Sequence, residues 1–188
     1  MTAHDIVTSP HLAKLTVKDF LTLAESGAFE RYARTELIEG EIWAVNAIHT
    51  RHARMHGTLV TELGAAIRGL DAKLDILIAP STELSQDSLP EPDIAIAARS
   101  EDKVLQGPTV KLAIEIADTS LDIDLGRKAR LYARYAVPEY WVVDVERRIV
   151  HQLWSPAGEA FAQKREIAFG EPLIAATIAG LTIATEAL

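Results

Sequence analysis

Two apolar runs, each carrying one charge where burial is expected, constrain this chain more than any other feature. Pro-Glu-Pro-Asp leads into Ile-Ala-Ile-Ala, so Asp93 opens the first run, and Lys-Leu-Ala-Ile-Glu-Ile-Ala carries Glu115 in the middle of the second. Such short, apolar segments read as buried strands. A third charge, Lys128, falls inside the apolar stripe of the helix that follows. Ionised groups are costly to bury unless they are paired or bind a metal, so three of them on neighbouring core elements point to a site.

In the second strand, a side-chain period of two puts Leu112, Ile114 and Ile116 on one face and Lys111, Ala113 and Glu115 on the other. If the two strands are neighbours, Asp93 and Glu115 converge at one end of a small sheet. Oxygen ligands of this kind suit Mg²⁺, which takes one or two carboxylates and keeps several waters. A second reading stands beside it: Asp93 caps a turn after Pro92, and Glu115 makes a surface ion pair with Lys111. Lys128 shares a buried helical face with Leu121, Leu125, Leu131, Tyr132 and Tyr135. Its ammonium either snorkels to water or points at the carboxylates. Arg127, Arg130 and Arg134 form a neighbouring stripe, suited to solvent or to a DNA backbone.

The remaining elements frame this centre. Thr16 caps a predicted helix from Val17 to Ala24, and Tyr32 to Trp43 reads as a hairpin folded about Glu39-Gly40. Ile48 to Leu70 has the periodicity of the longest helix, and Leu74 to Ala79 is a short strand. Pro80 to Leu89 is a polar loop or hairpin. After Val137-Pro138 comes a strand from Tyr140 to Val145, then strands Ile149 to Trp154 and Phe161 to Ile167 separated by a turn at Ser155-Pro156-Ala157-Gly158. Leu173 to Ile183 is an apolar tail expected to pack on the sheet. This order predicts an α/β or α+β fold, a mixed sheet flanked by helices, preceded by a helix and a hairpin.

The 188 residues fit one domain, residues 1–188, with residues 1–14 as a flexible arm, and 48% hydrophobic residues supply a substantial core. The absence of cysteine excludes thiolate metal sites, disulfides and cysteine nucleophiles, so any metal sits on oxygen or imidazole. No signal peptide and no transmembrane segment are read, and a cytoplasmic protein with no membrane partner is expected. A net charge of -8 excludes nucleic-acid binding through the overall field and leaves only a local basic face or a metal. His49, His52 and His56 are spaced along one helical face. Three ligands from one helix rarely converge on one ion, so the reading favours packing, with His52 the member that approaches substrate. Tyr132, Tyr135, Tyr140 and Trp141 read as core in preference to a base-stacking surface.

Glu36-Leu-Ile-Glu-Gly-Glu, Pro92-Asp93, Ile114-Glu115-Ile116, Asp124 to Lys128 and the run Tyr-Ala-Val-Pro-Glu-Tyr-Trp-Val-Val-Asp ending at Asp144 resemble the Uma-two family of bacterial restriction endonucleases, in the PD-(D/E)XK nuclease superfamily. The resemblance spans about Leu15 to Leu181. It implies a restriction-endonuclease-like core and hydrolysis of DNA phosphodiester bonds with Mg²⁺ or Mn²⁺. Asp93 matches the motif aspartate, Glu115 the motif glutamate, and Glu36 the acidic residue of the N-terminal part. The superfamily pattern places a lysine two residues after the glutamate, where this chain has Ala117, and the resemblance implies that Lys128 takes its place. The implied ligands are Asp93, Glu115 and the carbonyl of Ile116, with Glu36 holding a metal-bound water, while Glu39 reads as a turn residue. The implied activity is a metal-dependent endonuclease acting on DNA. Cutting both strands would need two sites, so a homodimer is expected, joined through the apolar edge strands Ile149 to Trp154 and Phe161 to Ile167. A catalytically inactive nuclease-fold module for nucleic-acid binding or assembly is the alternative, and hydrolysis of a small phosphoester is a third reading.

Overall fold

The computed structural model describes residues 12–45, 49–70 and 73–188. Helix α1 (Val17–Glu25) opens with a capping box: Thr16 Oγ1 accepts the Asp19 N–H, and the Asp19 carboxylate accepts the Thr16 N–H. Strands β1 (Arg34–Ile38) and β2 (Glu41–Val45) form the expected antiparallel hairpin. Its turn residues Glu39 and Gly40 both take positive φ, 53° and 76°, the pattern whose twist matches that of paired strands. Of the predicted arm, residues 1–11 lie outside the described residues, as does Ile48, the predicted start of the next helix. Helix α2 (Thr50–Ile67) is 18 residues long and buries Met55, Leu59 and Leu63.

Strand β3 (Leu74–Ile78) is followed by β4 (Thr82–Glu83), β5 (Ile94–Ala98), β6 (Leu105–Gln106) and β7 (Val110–Ala117). A helical segment then crosses the sheet. It starts as an α turn (Leu121–Ile123), takes π geometry over Asp124–Lys128 and continues as α over Ala129–Arg134; residues 121–134 are here α3. Strands β8 (Glu139–Asp144), β9 (Ile149–Ala157), β10 (Ala160–Ala168), β11 (Leu173–Ile174) and β12 (Thr182–Ile183) complete the chain.

Six strands form the main sheet in the order β10-β9-β8-β7-β5-β3. β7 and β8 are parallel and the other pairs antiparallel, so the sheet is mixed, with α3 as the crossover between the parallel strands. Alternation along β5 and β7 is as read. Ile94, Ile96, Leu112, Ile114 and Ile116 enter one core with α2 and the C-terminal tail, and Ala95, Ala97, Ala113 and Ala117 enter a second core with Ala129 and Tyr132 of α3. Burial on both faces explains why these strands are apolar throughout.

Two expectations require correction. The turn assigned to Ser155-Pro156-Ala157-Gly158 is strand as far as Ala157, paired through Pro156↔Phe161 and Ala157↔Ala160. A proline is tolerated there because β9 has run past its last partner in β8, where Trp154 faces Glu139. Consequently β9 lies inside the sheet, and the interface predicted on both strands loses half its surface. The other half, the edge strand β10, exposes Gln163, Lys164, Arg165 and Glu166, charges of the kind that discourage edge pairing.

The tail Leu173 to Ile183 packs on the sheet as expected, and a buried acid ties it there. The fully buried Glu139 carboxylate accepts from Trp141 Nε1 at 2.6 Å, from Ala176 N at 2.9 Å and from Thr177 N and Oγ1, both at 2.8 Å. Gln152 adds a further donor and also reaches the Ile174 carbonyl at 3.0 Å. Charge-assisted bonds of this kind contribute about 1.5–3 kcal/mol each. Glu139→Gln keeps the volume but replaces one acceptor oxygen with a donor. It is expected to cost about 2–4 kcal/mol in urea denaturation and to speed hydrogen exchange in residues 173–183 before the central strands.

Candidate active site: a buried cluster of acids, arginine and lysine

Every polar residue anticipated for the site comes to one place. The register Ile94↔Ile114 sets Asp93 beside Glu115 at the end of β5 and β7. Asp93 Oδ2 accepts the Ile116 N–H at 2.8 Å and a bond from His52 Nε2 at 3.1 Å. His56 Nε2 binds the Asp93 carbonyl at 3.0 Å, so two histidines one helical turn apart grip the same residue. Both carboxylate and carbonyl are acceptors, so each Nε2 carries the hydrogen. The other oxygen, Oδ1, has only Arg34 at 3.5 Å.

Glu36 arrives on the hairpin. β1 docks on the segment before β5 through Leu89 N–H to the Leu37 carbonyl at 2.7 Å, and the turn docks through Gly40 N–H to the Asp87 carbonyl at 2.7 Å. Side-chain alternation along β1 then directs both Arg34 and Glu36 inward, Arg34 Nη2 lying 3.3 Å from Glu36 Oε1.

Lys128 arrives on the crossover helix. Its Nζ lies 3.0 Å from Glu115 Oε1 and 3.0 Å from Glu36 Oε2, and Tyr132 Oη donates to Glu115 Oε1 at 3.1 Å. The regular helix predicted for this segment is interrupted by the π turn, in which Ala129 N–H reaches the Asp124 carbonyl, five residues back. Tyr140 Oη also binds that carbonyl, at 3.0 Å. The wider turn changes the buried face: Asp124 and Lys128 are buried, while Leu125 and Tyr135 are only half-buried. Ser120 Oγ caps the Asp124 carboxylate.

Four carboxylates, Glu36, Asp93, Glu115 and Asp124, therefore share a site with the cations Lys128 and Arg34. Burial alone disfavours the ammonium of Lys128, but Glu115, Glu36 and Asp124 outweigh it, and its pKa is raised. Burial pushes Glu115 well above the usual carboxylate range against the pull of Lys128, with Asp124, Asp93 and Glu36 adding repulsion. Burial likewise raises Asp124. These directions are compatible, because three acids around one ammonium leave a surplus that a proton on one acid relieves. Asp93 behaves oppositely: burial opposes its charge, but the bonds from His52 and Ile116 and the nearby Arg34 hold its pKa below the ordinary value.

Asp93, Glu115 and Lys128 were all legible in sequence, and Glu115 is not a surface partner of Lys111 nor Lys128 a snorkelling residue. Arg34, Asp124, His56 and Tyr132 were not read as site residues. Arg34 was detectable as the residue two before Glu36 on a strand, and Asp124 as the residue four before Lys128 on a helix. The arginine stripe is corrected. Arg127 is held by Glu39 at 3.1 Å and Glu41 at 2.8 Å and lies over the Trp43 ring, and the exposed Arg134 binds Glu39 and Glu159, so of the three only Arg130 is exposed without an ion pair among the described residues. Glu39 is the turn residue expected, and it anchors these arginines. Tyr132, Tyr140 and Trp141 are fully buried, as a core assignment requires.

The family model described as "Putative restriction endonuclease", Uma2, matches residues 17–186. The chain belongs to the Uma2 family. A crystal structure titled as that of "a putative nuclease belonging to DUF820", from Anabaena variabilis, has the same fold, with a TM-score of 0.72 at 15% identity, covering 92% of this chain and 96% of that one. None of the curated proteins compared matches the chain. No described helix is long and apolar enough to cross a membrane.

The acidic groups of this Uma2 chain line a cavity of about 220 Å³ with Arg34, Lys128, Trp43 and Ile123 at its walls. No group of three histidine, aspartate or glutamate ligands stands ready for a metal among the described residues, the helical histidine trio included. The donor chemistry nevertheless fits a hard divalent cation: four carboxylates outnumber the two fixed cations, and Asp93 Oδ1 has no donor nearer than Arg34 at 3.5 Å among the described residues.

The two principal carboxylates should respond oppositely to removal of their charge in metal-free protein. Asp93→Asn is expected to cost about 1–3 kcal/mol in urea denaturation at neutral pH, because it removes a charge that the fold favours. That contribution exists above the ordinary pKa and is lost as pH falls through the lower folded value, so the penalty should disappear in strong acid. Glu115→Gln should stabilise the metal-free fold by about 1 kcal/mol or more, increasingly as pH rises above the ordinary carboxylate range, because the buried charge it removes is disfavoured.

Proposed function

We propose that this protein is a metal-dependent endonuclease that hydrolyses DNA phosphodiester bonds, with Mg²⁺ or Mn²⁺ as its cofactor. The observation that carries the reading is the meeting of Lys128 with Glu115 and Glu36 beside Asp93, which restores the lysine that the strand lacks at Ala117. Asp93 through Oδ1, Glu115, the carbonyl of Ile116 and, through water, Glu36 would hold the ion. When bound, the cation polarises the phosphate and lowers the pKa of an attacking water.

The chain's own residues supply the rest. His52 and the Ile116 N–H saturate Asp93 Oδ2, which fixes the carboxylate so that Oδ1 faces the cavity. Lys128, kept charged by its carboxylates, offers donors to a phosphate oxygen or to the water as negative charge develops. Arg34, held by Glu36 and Asp93, keeps only its buried Nε without a hydrogen bond among the described residues. A cysteine-free chain suits a cytoplasmic setting.

One observation favours the alternative of an inactive nuclease-fold module. Lys128 and Arg34 already satisfy most of the acids, so the cluster can serve as a closed structural element. Calorimetry with Mn²⁺ separates the two: heat of binding that vanishes in Asp93→Asn supports the nuclease, and absence of heat in the intact protein supports the module. The deciding assay is incubation with supercoiled, linear and single-stranded DNA plus Mn²⁺, with Asp93→Asn as control.

Lys128→Met retains the packing stem and removes the charge. The rate should fall about 10²-fold or more, the loss typical of removing one charge-stabilising donor, with the fold intact by circular dichroism. Lys128→Arg should not restore it fully, since a planar guanidinium cannot occupy a compact ammonium site. Wild-type rate in folded Lys128→Met would remove Lys128 from the mechanism. We also propose a homodimer, the commonest symmetric assembly, with light scattering at micromolar concentration expected to give twice the monomer mass.

A further inference from the structure

The mouth of the site is built unlike a duplex-binding surface. The groups that would act on the phosphate are almost sealed, with Glu36 1%, Glu115 2%, Asp93 5% and Lys128 5% exposed. A scissile phosphate reaches them only by entering the cavity of about 220 Å³, below the size usual for pockets that enclose a whole drug-sized ligand. A paired helix is stiff and carries its backbone on the outside of a rod, so feeding one phosphate into such a space costs deformation or unpairing of the duplex. An unpaired strand can bend into it.

Charge points the same way. Affinity for duplex DNA comes from several lysines and arginines that neutralise successive phosphates. The arginines flanking this mouth are already engaged: Arg51 binds Asp118 at 2.6 Å, Arg127 binds Glu39 and Glu41, and Arg34 spans Glu36 and Asp93. Beside His49 and Thr119, the cavity lining offers apolar surface. Trp43 is half-buried with the Arg127 guanidinium 4.7 Å from its ring centroid on one side, and Ile123, 40% exposed, stands at the same rim. An aromatic ring with an arginine against it is the pairing on which single-stranded bases stack, without regard to sequence.

We propose that the substrate is an unpaired stretch of DNA, a single strand, a flap or an open loop, seated by stacking one base at Trp43 while the adjacent phosphate enters the acid cluster. The proposal rests on the nuclease reading above.

The test uses the full chain with Mn²⁺ and three substrates of one sequence: a single strand, its complete duplex, and the duplex with an internal unpaired stretch. The single strand, and the unpaired stretch within the duplex, should be cut about tenfold or more faster than paired DNA, the scale of one stacked base. Binding is read separately in Asp93→Asn, which cannot turn over. A single strand should quench tryptophan fluorescence, with a log-log salt slope of about -1 to -2, the value for one to three phosphate contacts. Trp43→Leu should lose the quenching and the preference for unpaired DNA, whereas Trp43→Phe, which still stacks, should keep the preference. Duplex cut as fast as the single strand, or unaltered preference in folded Trp43→Leu, overturns the inference and leaves the nuclease standing. Absence of cleavage on all three substrates overturns the nuclease reading and this inference with it.

Discussion

One buried ammonium decides what the centre of this protein can be. Lys128 is 5% exposed and faces Glu36, Glu115 and Asp124, which come from a hairpin, a central strand and its own helix. Acids gathered so closely would repel one another and protonate without a cation among them. Removing the ammonium from this buried set would cost about 3–5 kcal/mol, because the acids around it would be left uncompensated. The hairpin, the sheet and the crossover helix are therefore held in register by the same lysine that the proposed chemistry uses.

Asp93 is organised on a different principle. It gains its charge from directed donors, a backbone N–H and an imidazole, and so stays ionised where Glu115 does not readily do so. Two carboxylates a few ångströms apart thus have environments that drive their proton affinities in opposite directions. Such divergence is typical of sites where acids hold distinct roles. The π turn belongs to the same design. An uninterrupted α-helix would present Leu125 on the stripe; the widened turn brings in Asp124, whose carbonyl accepts Tyr140 Oη as well as the Ala129 N–H.

Away from the site, Glu139 performs a structural task with a similar residue. Its carboxylate is fully buried and fully bonded, and it staples the C-terminal tail across the sheet. The Uma2 chain thus buries acids in two ways. At Glu139 every lone pair is matched to a fixed donor. In the cavity the acids have fewer fixed donors and share Lys128 and Arg34 among them, with Asp93 Oδ1 no nearer to a donor than 3.5 Å.

The sequence by itself determined the elements and their faces. Apolar alternation in β5 and β7, the capping Thr16, the Glu39-Gly40 turn and the charges at Asp93, Glu115 and Lys128 all act through residues a few positions apart, where period and propensity suffice. It also pointed Lys128 at the acids, because the resemblance and the helical stripe coincide there, and the ammonium does meet Glu115 and Glu36. Only the tertiary structure decided the rest. The strand order put β9 inside the sheet, since pairing between distant segments leaves no local signature. The hairpin brought Arg34 to Asp93, 59 positions away in the chain. Arg127 and Arg134 were claimed by Glu39 and Glu41, because a charge that looks free on a helix is free only until another element folds against it.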